Sequence, residues 1–225
     1  DIDPDNYCID PVSVEANITS NTKAIIAVDI FGQSADMNAL MSIADKYGIK
    51  IISDTAQAPG SFYKGKLSGT QAHIGGYSLN YHKHIHTGEG GVLVTDDDVL
   101  AEKMQLIRNH AEAVVDPNNL PGLTNMVGYN FRLGEIEAAI GIEQLKKLKD
   151  LVNTRQLVAD KLTKGLEGLN GLVIPNVQKD CTHVYYVYPM QLDLKKLNVT
   201  RKRIIDALKA EGLEGLMNGY MNIHL

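Results

Sequence analysis

Short apolar runs alternate with helical periodicities along the first half of the chain. Ala24-Ile25-Ile26-Ala27-Val28-Asp29-Ile30 is nearly continuous in apolar and β-branched residues, the pattern of a strand buried on both faces of a parallel sheet. After a loop over 31–36, Met37, Leu40, Met41, Ile43, Ala44 and Tyr47 recur at helical spacing until Gly48 ends them. Lys50-Ile51-Ile52-Ser53-Asp54 then reads as a second buried strand. Strand, helix, strand is a βαβ unit, so the sheet is at least partly parallel. Shorter strands are predicted over 73–79 and 91–95. Asp96, Asp97 and Asp98 begin a helix over about 99–109 that closes on Arg108, a charge order the helix dipole favours.

The second half is patterned differently. A loop rich in Pro, Asn and Gly covers 116–125. From Arg132 onward, Leu133, Ile136, Ala139, Ile140, Ile142, Leu145 and Leu148 begin a helical signal that runs to about Leu166, longer than an ordinary globular helix. A boundary near Lys146 to Asp150 is therefore predicted, dividing a major domain (1–147) from a small C-terminal lobe (148–225). Within that lobe 184–188 reads as a strand, and Thr200 caps an amphipathic helix that Gly212 ends. The acidic, turn-like opening precedes a short helix and resembles neither a signal nor a transit peptide. With no initiator Met and an abrupt stop at Leu225, the sequence reads as a piece of a longer protein.

Composition narrows the class. The 225 residues are 44% apolar and 22% charged, as in an ordinary globular protein. A net charge of -5 argues against non-specific nucleic-acid binding, and no run is apolar enough for a membrane span. Cys8 and Cys181 lie far apart, with no Cys-x-x-Cys pair for zinc, and read as reduced thiols in a cytoplasmic protein.

Chemistry concentrates in four places. Asp54 ends a buried parallel strand, where open α/β sheets bind ligands, and a carboxylate there calls for a cationic partner. A protonated pyridine nitrogen is one such partner; a loop-anchoring cap is the plainer role. Lys83 precedes a flexible Gly88-Glu89-Gly90-Gly91 turn, which suits an amine that approaches a carbonyl and later moves aside, although it also suits a solvated loop cation. Ser78, five residues earlier, can donate its hydroxyl to a phosphate. His82, His84 and His86 would share one face of a strand and could hold a metal, but no acidic or Cys ligand stands at matching spacing; no metal is expected. Gly128-Tyr129-Asn130-Phe131-Arg132, directly before a helix, can present an anion site or simply a helix entry.

In order and spacing these pieces resemble the DegT/DnrJ/EryC1/StrS family of pyridoxal-phosphate sugar aminotransferases. The matching stretches are Ser53-Asp54-Thr55-Ala56-Gln57-Ala58-Pro59-Gly60, residues 78–91, Arg108-Asn109-His110, and Gly128-Tyr129-Asn130-Phe131-Arg132 with Glu135-Ile136-Glu137-Ala138-Ala139. The resemblance implies an α/β fold of the aspartate aminotransferase type (fold type I), with a mixed, mostly parallel sheet and a smaller α+β lobe. It also implies a homodimer with active sites at the subunit interface. Asp54 is expected on the cofactor's pyridinium nitrogen, Gln57 near the ring hydroxyl and Ser78 on the phosphate. Asn130 is expected to reach the phosphate of the neighbouring subunit's cofactor. Lys83 takes the position that condenses with the cofactor aldehyde and shuttles the substrate's proton. The implied reaction moves an amine from an amino acid such as glutamate to a keto-sugar, in amino-sugar and lipopolysaccharide or other cell-surface polysaccharide biosynthesis. Substrate-side candidates are His84, Arg132, Tyr186 and His224.

The chain also departs from the family pattern. Asp29 stands where many members have His, Leu79 where they have Phe, and Tyr186 where His is common. Gly219-Tyr220-Met221-Asn222 differs from the usual His-Tyr-Pro. The small-residue turn that binds the phosphate and the aromatic that stacks on the ring are not in this sequence, so a complete site needs residues beyond it. A nucleotide-linked keto-sugar is the expected substrate; an unlinked keto sugar acid such as an octulosonate is the alternative. A same-fold dehydratase, in which histidine replaces the lysine, is a second alternative.

Overall fold

The computed structural model describes residues 1–112 and 126–219. The chain opens with α1 (Pro11–Asn17), capped by the Asp10 side chain, and enters β1 (Ala24–Val28). A single 3-10 turn (Ile30–Gly32) leads to α2 (Met37–Tyr47) and β2 (Lys50–Asp54). Asp36 starts α2 by accepting from the Ala39 amide, and Gly48, at φ 64°, ends it in the left-handed conformation. A small hairpin of β3 (Phe62–Tyr63) and β4 (Lys66–Leu67) precedes β5 (Ile74–Ser78), β6 (Gly91–Val94) and α3 (Asp98–Arg108). Then come α4 (Glu135–Leu166), β7 (Leu172–Val173), β8 (Gln191–Leu192), α5 (Leu194–Leu197) and α6 (Arg201–Ala210).

The main sheet has the order β1-β2-β5-β6. The first three strands are parallel and β6 is antiparallel to β5, so the sheet is mixed and mostly parallel as expected. Alternation along the strands divides its two faces. Ile25, Ala27 and Ile51 pack in one core with Met37, Leu40 and Ala44 of α2. The opposite face carries Ile26, 62% exposed, and Leu93, 60% exposed.

Two sequence expectations change. Residues 184–188 form no strand: the Val184 amide donates to Gly32 O and the Val187 amide to Phe31 O, both in the 3-10 turn, and Tyr185 has φ 50°. Its β-branched and aromatic residues pack against that turn, and among the described residues no strand pairs with it to form a ladder. The long helical signal is one 32-residue helix, α4, with no proline to break it. The predicted loop over 116–125 lies outside the described residues.

The chain divides into two compact units: Asp1–Asp160 with Asn176–Tyr188, and Lys161–Pro175 with Pro189–Leu225. The division falls within α4, beyond the 147/148 boundary read from the sequence, and the first unit contains the sheet. In the second unit β7 pairs with β8, bringing Leu172 beside Leu192. Gly171, at φ 76°, lies so close to Leu197 that a Cβ there would sit 2.5 Å from its Cγ.

Candidate active site

Asp54 owes its direction to strand alternation. Ile51, Ser53 and Thr55 are buried, so Asp54 points to the other face with Ile52. The register sets Asp54 beside Gly76, and Ser78 lies two residues further along β5 on the same face. Asp54 and Ser78 thus share one face at the carboxyl ends of two parallel strands, the end at which such sheets bind ligands. Gly76 contributes no side chain between them. The Oδ1 of Asp54 accepts from the Ala56 amide at 3.0 Å, and Oδ2 receives no hydrogen bond from a described residue.

The loop after β2 is tied to the turn after β1. Gln57 Oε1 accepts from the Phe31 amide at 2.8 Å, and Phe31 itself has φ 59°. This bond fixes the Gln57 side chain next to Asp54 in the chain.

Beyond β5 the backbone closes a loop on itself. The Leu79 amide donates to Gly90 O, the Thr87 amide to Leu79 O and the Lys83 amide to Asn80 O, at 2.8, 3.0 and 3.0 Å. Asn80 Nδ2 donates to Glu89 Oε1 at 2.6 Å, and the Asn80 amide donates to Ser78 Oγ at 3.2 Å. Gly88, at φ 88°, makes the return possible.

This loop presents Lys83. Its Nζ lies 4.7 Å from the centroid of the Tyr186 ring and forms no ion pair among the described residues. Burial pulls its pKa below the ordinary lysine value, opposed by the attraction of Asp54. Amine and carboxylate therefore lie within electrostatic reach of one another, and the amine is biased toward its neutral, nucleophilic form.

The three histidines do not share a face, because 82–86 is a turn rather than a strand: His84 is buried, while His82 and His86 are exposed. His84 Nε2 lies 3.1 Å from Val184 O. A carbonyl only accepts, so Nε2 carries the hydrogen and the neutral ring keeps a lone pair on Nδ1. That buried Nδ1 has no hydrogen-bond partner among the described residues. Burial first, then Arg155, pushes the His84 pKa down to about 4. Among the described residues no group of His, Cys, Asp and Glu could hold a metal ion.

Tyr186 arrives by tertiary contacts that the sequence did not signal. From α4, Arg155 Nη1 donates to Tyr185 O and Gln156 Nε2 to His183 O, each at 3.1 Å. These bonds and the two to the 3-10 turn carry Tyr186 to Lys83, with His84 5.9 Å and His82 6.2 Å from its ring centre. Arg155 and Gln156 carry no signal in the sequence, because nothing in helical periodicity distinguishes a side chain that reaches a distant carbonyl.

Asn130 and Arg132 stand apart from this cluster. The backbone over 129–131 pairs with the end of α3, Arg132 Nη1 donates to Asn109 Oδ1 at 2.9 Å, and the Asn130 side chain is exposed. No hydrogen bond or ring contact joins either residue to Asp54 or Lys83 among the described residues. His224 lies outside the described residues.

A carboxylate oxygen without a donor and an amine of lowered pKa without an ion pair, both among the described residues, and a serine hydroxyl at the same strand ends together fit a cationic aromatic ring that bears an aldehyde and a phosphate.

Comparison with known proteins points the same way. The model of the DegT/DnrJ/EryC1/StrS aminotransferase family matches residues 1–224. The spore coat polysaccharide biosynthesis protein SpsC of Bacillus subtilis is 33% identical over 231 residues, covering 100% of this chain and 59% of its own length. GDP-perosamine synthase of Caulobacter vibrioides is 36% identical over 215 residues, covering 95% of this chain and 57% of its own. The chain thus spans under two thirds of the length of these relatives. Among solved structures, S. venezuelae DesV in complex with a ketimine intermediate superposes with TM-score 0.88 at 30% identity, covering 100% of this chain and 57% of that one. E. coli GDP-4-keto-6-deoxy-D-mannose-3-dehydratase with bound hydrated pyridoxal phosphate gives TM-score 0.82 at 28% identity, covering 95% and 58%.

Proposed function

The chain belongs to the DegT/DnrJ/EryC1/StrS aminotransferase family, and on that premise we propose that the full-length protein transfers an amino group from an amino acid to a keto-sugar. The cofactor is pyridoxal phosphate, which when bound supplies an electron sink for the substrate's carbon. The observation that carries the reading is the Lys83 amine, without an ion pair among the described residues, lowered in pKa by burial and within reach of the Asp54 charge.

In this reading Asp54 would hold the ring nitrogen in its protonated state through the oxygen that accepts from no other donor among the described residues. Gln57, fixed by the Phe31 amide, would serve the ring hydroxyl, and Ser78 would hold the phosphate. Lys83 would hold the cofactor through its amine and would take and return a proton at the reacting carbon. Its neutral fraction, raised by burial, suits both tasks. Tyr186 backs the amine, and His84 offers an acceptor to a substrate hydroxyl. Arg132 and His224 remain substrate-side candidates.

Glutamate is the proposed donor and a nucleotide-linked keto-sugar the proposed acceptor, a choice supported by the GDP-linked sugar in the name of the GDP-perosamine synthase relative. An unlinked keto sugar acid is the alternative acceptor, motivated by Tyr186, where His is common in the family. Lys83 itself, rather than a histidine, against the Tyr186 ring favours transamination over the dehydration named in the E. coli structure. Exposed Tyr129, Phe131 and Ile136 support a homodimer in which Asn130 serves the partner subunit's site. We take 1–147 as the cofactor-binding domain and 148–225 as the small lobe. Two free cysteines, and no described helix long and apolar enough to cross a membrane, support a cytoplasmic setting.

The test is the full-length protein with pyridoxal phosphate, glutamate and a panel of linked and unlinked keto-sugars, read as 2-oxoglutarate release. Release that depends on one keto-sugar is the expected result. No release with any of them, despite bound cofactor, refutes the transaminase reading.

A further inference from the structure

Directly behind Asp54 lies a second carboxylate. Asp29 follows β1 and is completely buried. Its Oδ1 accepts from the Ala35 amide at 2.9 Å; its Oδ2 accepts from Ser53 Oγ at 3.0 Å and from Thr55 Oγ1 at 2.8 Å. Its own amide donates to Asp54 O at 2.9 Å. No lysine, arginine or histidine pairs with it among the described residues. A buried carboxylate without a cation is costly, and this one is placed where it grips the residues on either side of Asp54.

We propose that Asp29 is a positioning residue for cofactor binding: its Oδ2 clamps Ser53 and Thr55 to the α2 side of the sheet, which turns Asp54 outward, and its charge strengthens Asp54's hold on a cationic ring. The inference rests on the cofactor reading above. Strand alternation already separates the faces; the clamp fixes the backbone angles that aim the carboxylate. Without it, two hydroxyl-bearing residues flanking Asp54 would lack their shared acceptor.

The electrostatic surroundings support the second half of the proposal. Burial pushes the thiols of Cys8 and Cys181 up to about 12 and 11, and the Tyr77 phenol up to about 12, so none is charged near neutrality. Burial raises Asp29 to about 6, which leaves it ionised at neutral pH with Asp54 as the neighbouring charge. A negative charge behind Asp54 raises the proton affinity of whatever cation Asp54 holds.

The test uses the full-length protein and free pyridoxal phosphate, with dissociation constant and the pH midpoint of the bound cofactor's visible absorption as readouts. Asp29→Asn keeps the shape and removes the charge. Ser53→Ala and Thr55→Val keep the charge and the Ala35 bond but remove one arm of the clamp each. The expected result is roughly tenfold weaker binding and a midpoint about one unit lower for Asp29→Asn, with binding several-fold weaker for the other two. A purely structural role would lower thermal stability and leave the midpoint of the folded protein where it was. Should Asp29→Asn fail to fold, Ser53→Ala and Thr55→Val decide the clamp: wild-type affinity in both overturns the proposal. Wild-type affinity and midpoint in a folded Asp29→Asn overturn it as well. A wild-type protein that takes up no cofactor defeats the underlying reading, whereas normal uptake with unchanged variants defeats this inference alone.

Discussion

The Lys83 amine stands 4.7 Å from the centre of the Tyr186 ring, and that ring is its only partner of either ionic or cation–π kind among the described residues. A cation over an aromatic face contributes about 0.5–1 kcal/mol where solvent reaches it. Lys83→Ala should therefore cost little stability while removing covalent capture of the cofactor. Borohydride treatment followed by intact-mass measurement checks this: the wild type gains the mass of reduced pyridoxal phosphate, and the variant gains none. A fixed adduct in the variant would assign the chemistry to another amine.

The βαβ unit that carries the site was legible because local signals agreed. The apolar run into Asp54, the helical spacing of Met37, Leu40 and Ala44, and Gly48 as a stop all pointed to one topology, and each is set by near neighbours. Residues 184–188 were not legible, since Val184 and Tyr186 have the composition of a strand but bind a turn that only tertiary packing brings near. Asp29 read as a departure from a family pattern. Its burial under Ser53 and Thr55 depends on the parallel register of β1 and β2, which hydropathy does not report.

Asp54→Asn separates binding from chemistry. The amide preserves the shape and the bond from the Ala56 amide, so cofactor uptake should persist. A neutral amide cannot hold the ring nitrogen protonated, and the transamination rate should fall by on the order of a hundredfold. Single-turnover rates with glutamate measure it. A rate equal to wild type would mean that Asp54 only anchors its loop.

His84 offers a test of atom identity. Its Nε2 donates to Val184 O, and its Nδ1 is a buried acceptor without a partner among the described residues. Gln places an amide near the Nε2 position and Asn places one near Nδ1. If Nδ1 accepts from a sugar hydroxyl, His84→Asn should retain a KM for the keto-sugar near wild type. His84→Gln should raise it roughly tenfold with little change for glutamate. The reverse ranking would give His84 a structural role through Val184 alone.

Stability against pH follows from three buried groups, two of which pull against the third. His84 and His183 are both held near 4 instead of 6.5, chiefly by burial, so each is neutral in the folded chain. Their contributions are fully present above pH 6.5 and are lost as the pH falls toward 4, because the unfolded chain then takes up protons that the folded one refuses. Each is worth about 3 kcal/mol across that window. Asp29 runs the other way: its carboxyl is raised from 3.8 to about 6, so the folded chain holds a proton that the unfolded one has released, and stability falls as the pH rises through that range. Two histidines outweigh one aspartate, and the net expectation is stability that rises between pH 4 and 6.5. Urea unfolding at pH 4.5 and 7 measures the slope. His183→Gln should flatten it and Asp29→Asn should steepen it; identical slopes in all three proteins would mean that these groups are open to water in the folded state.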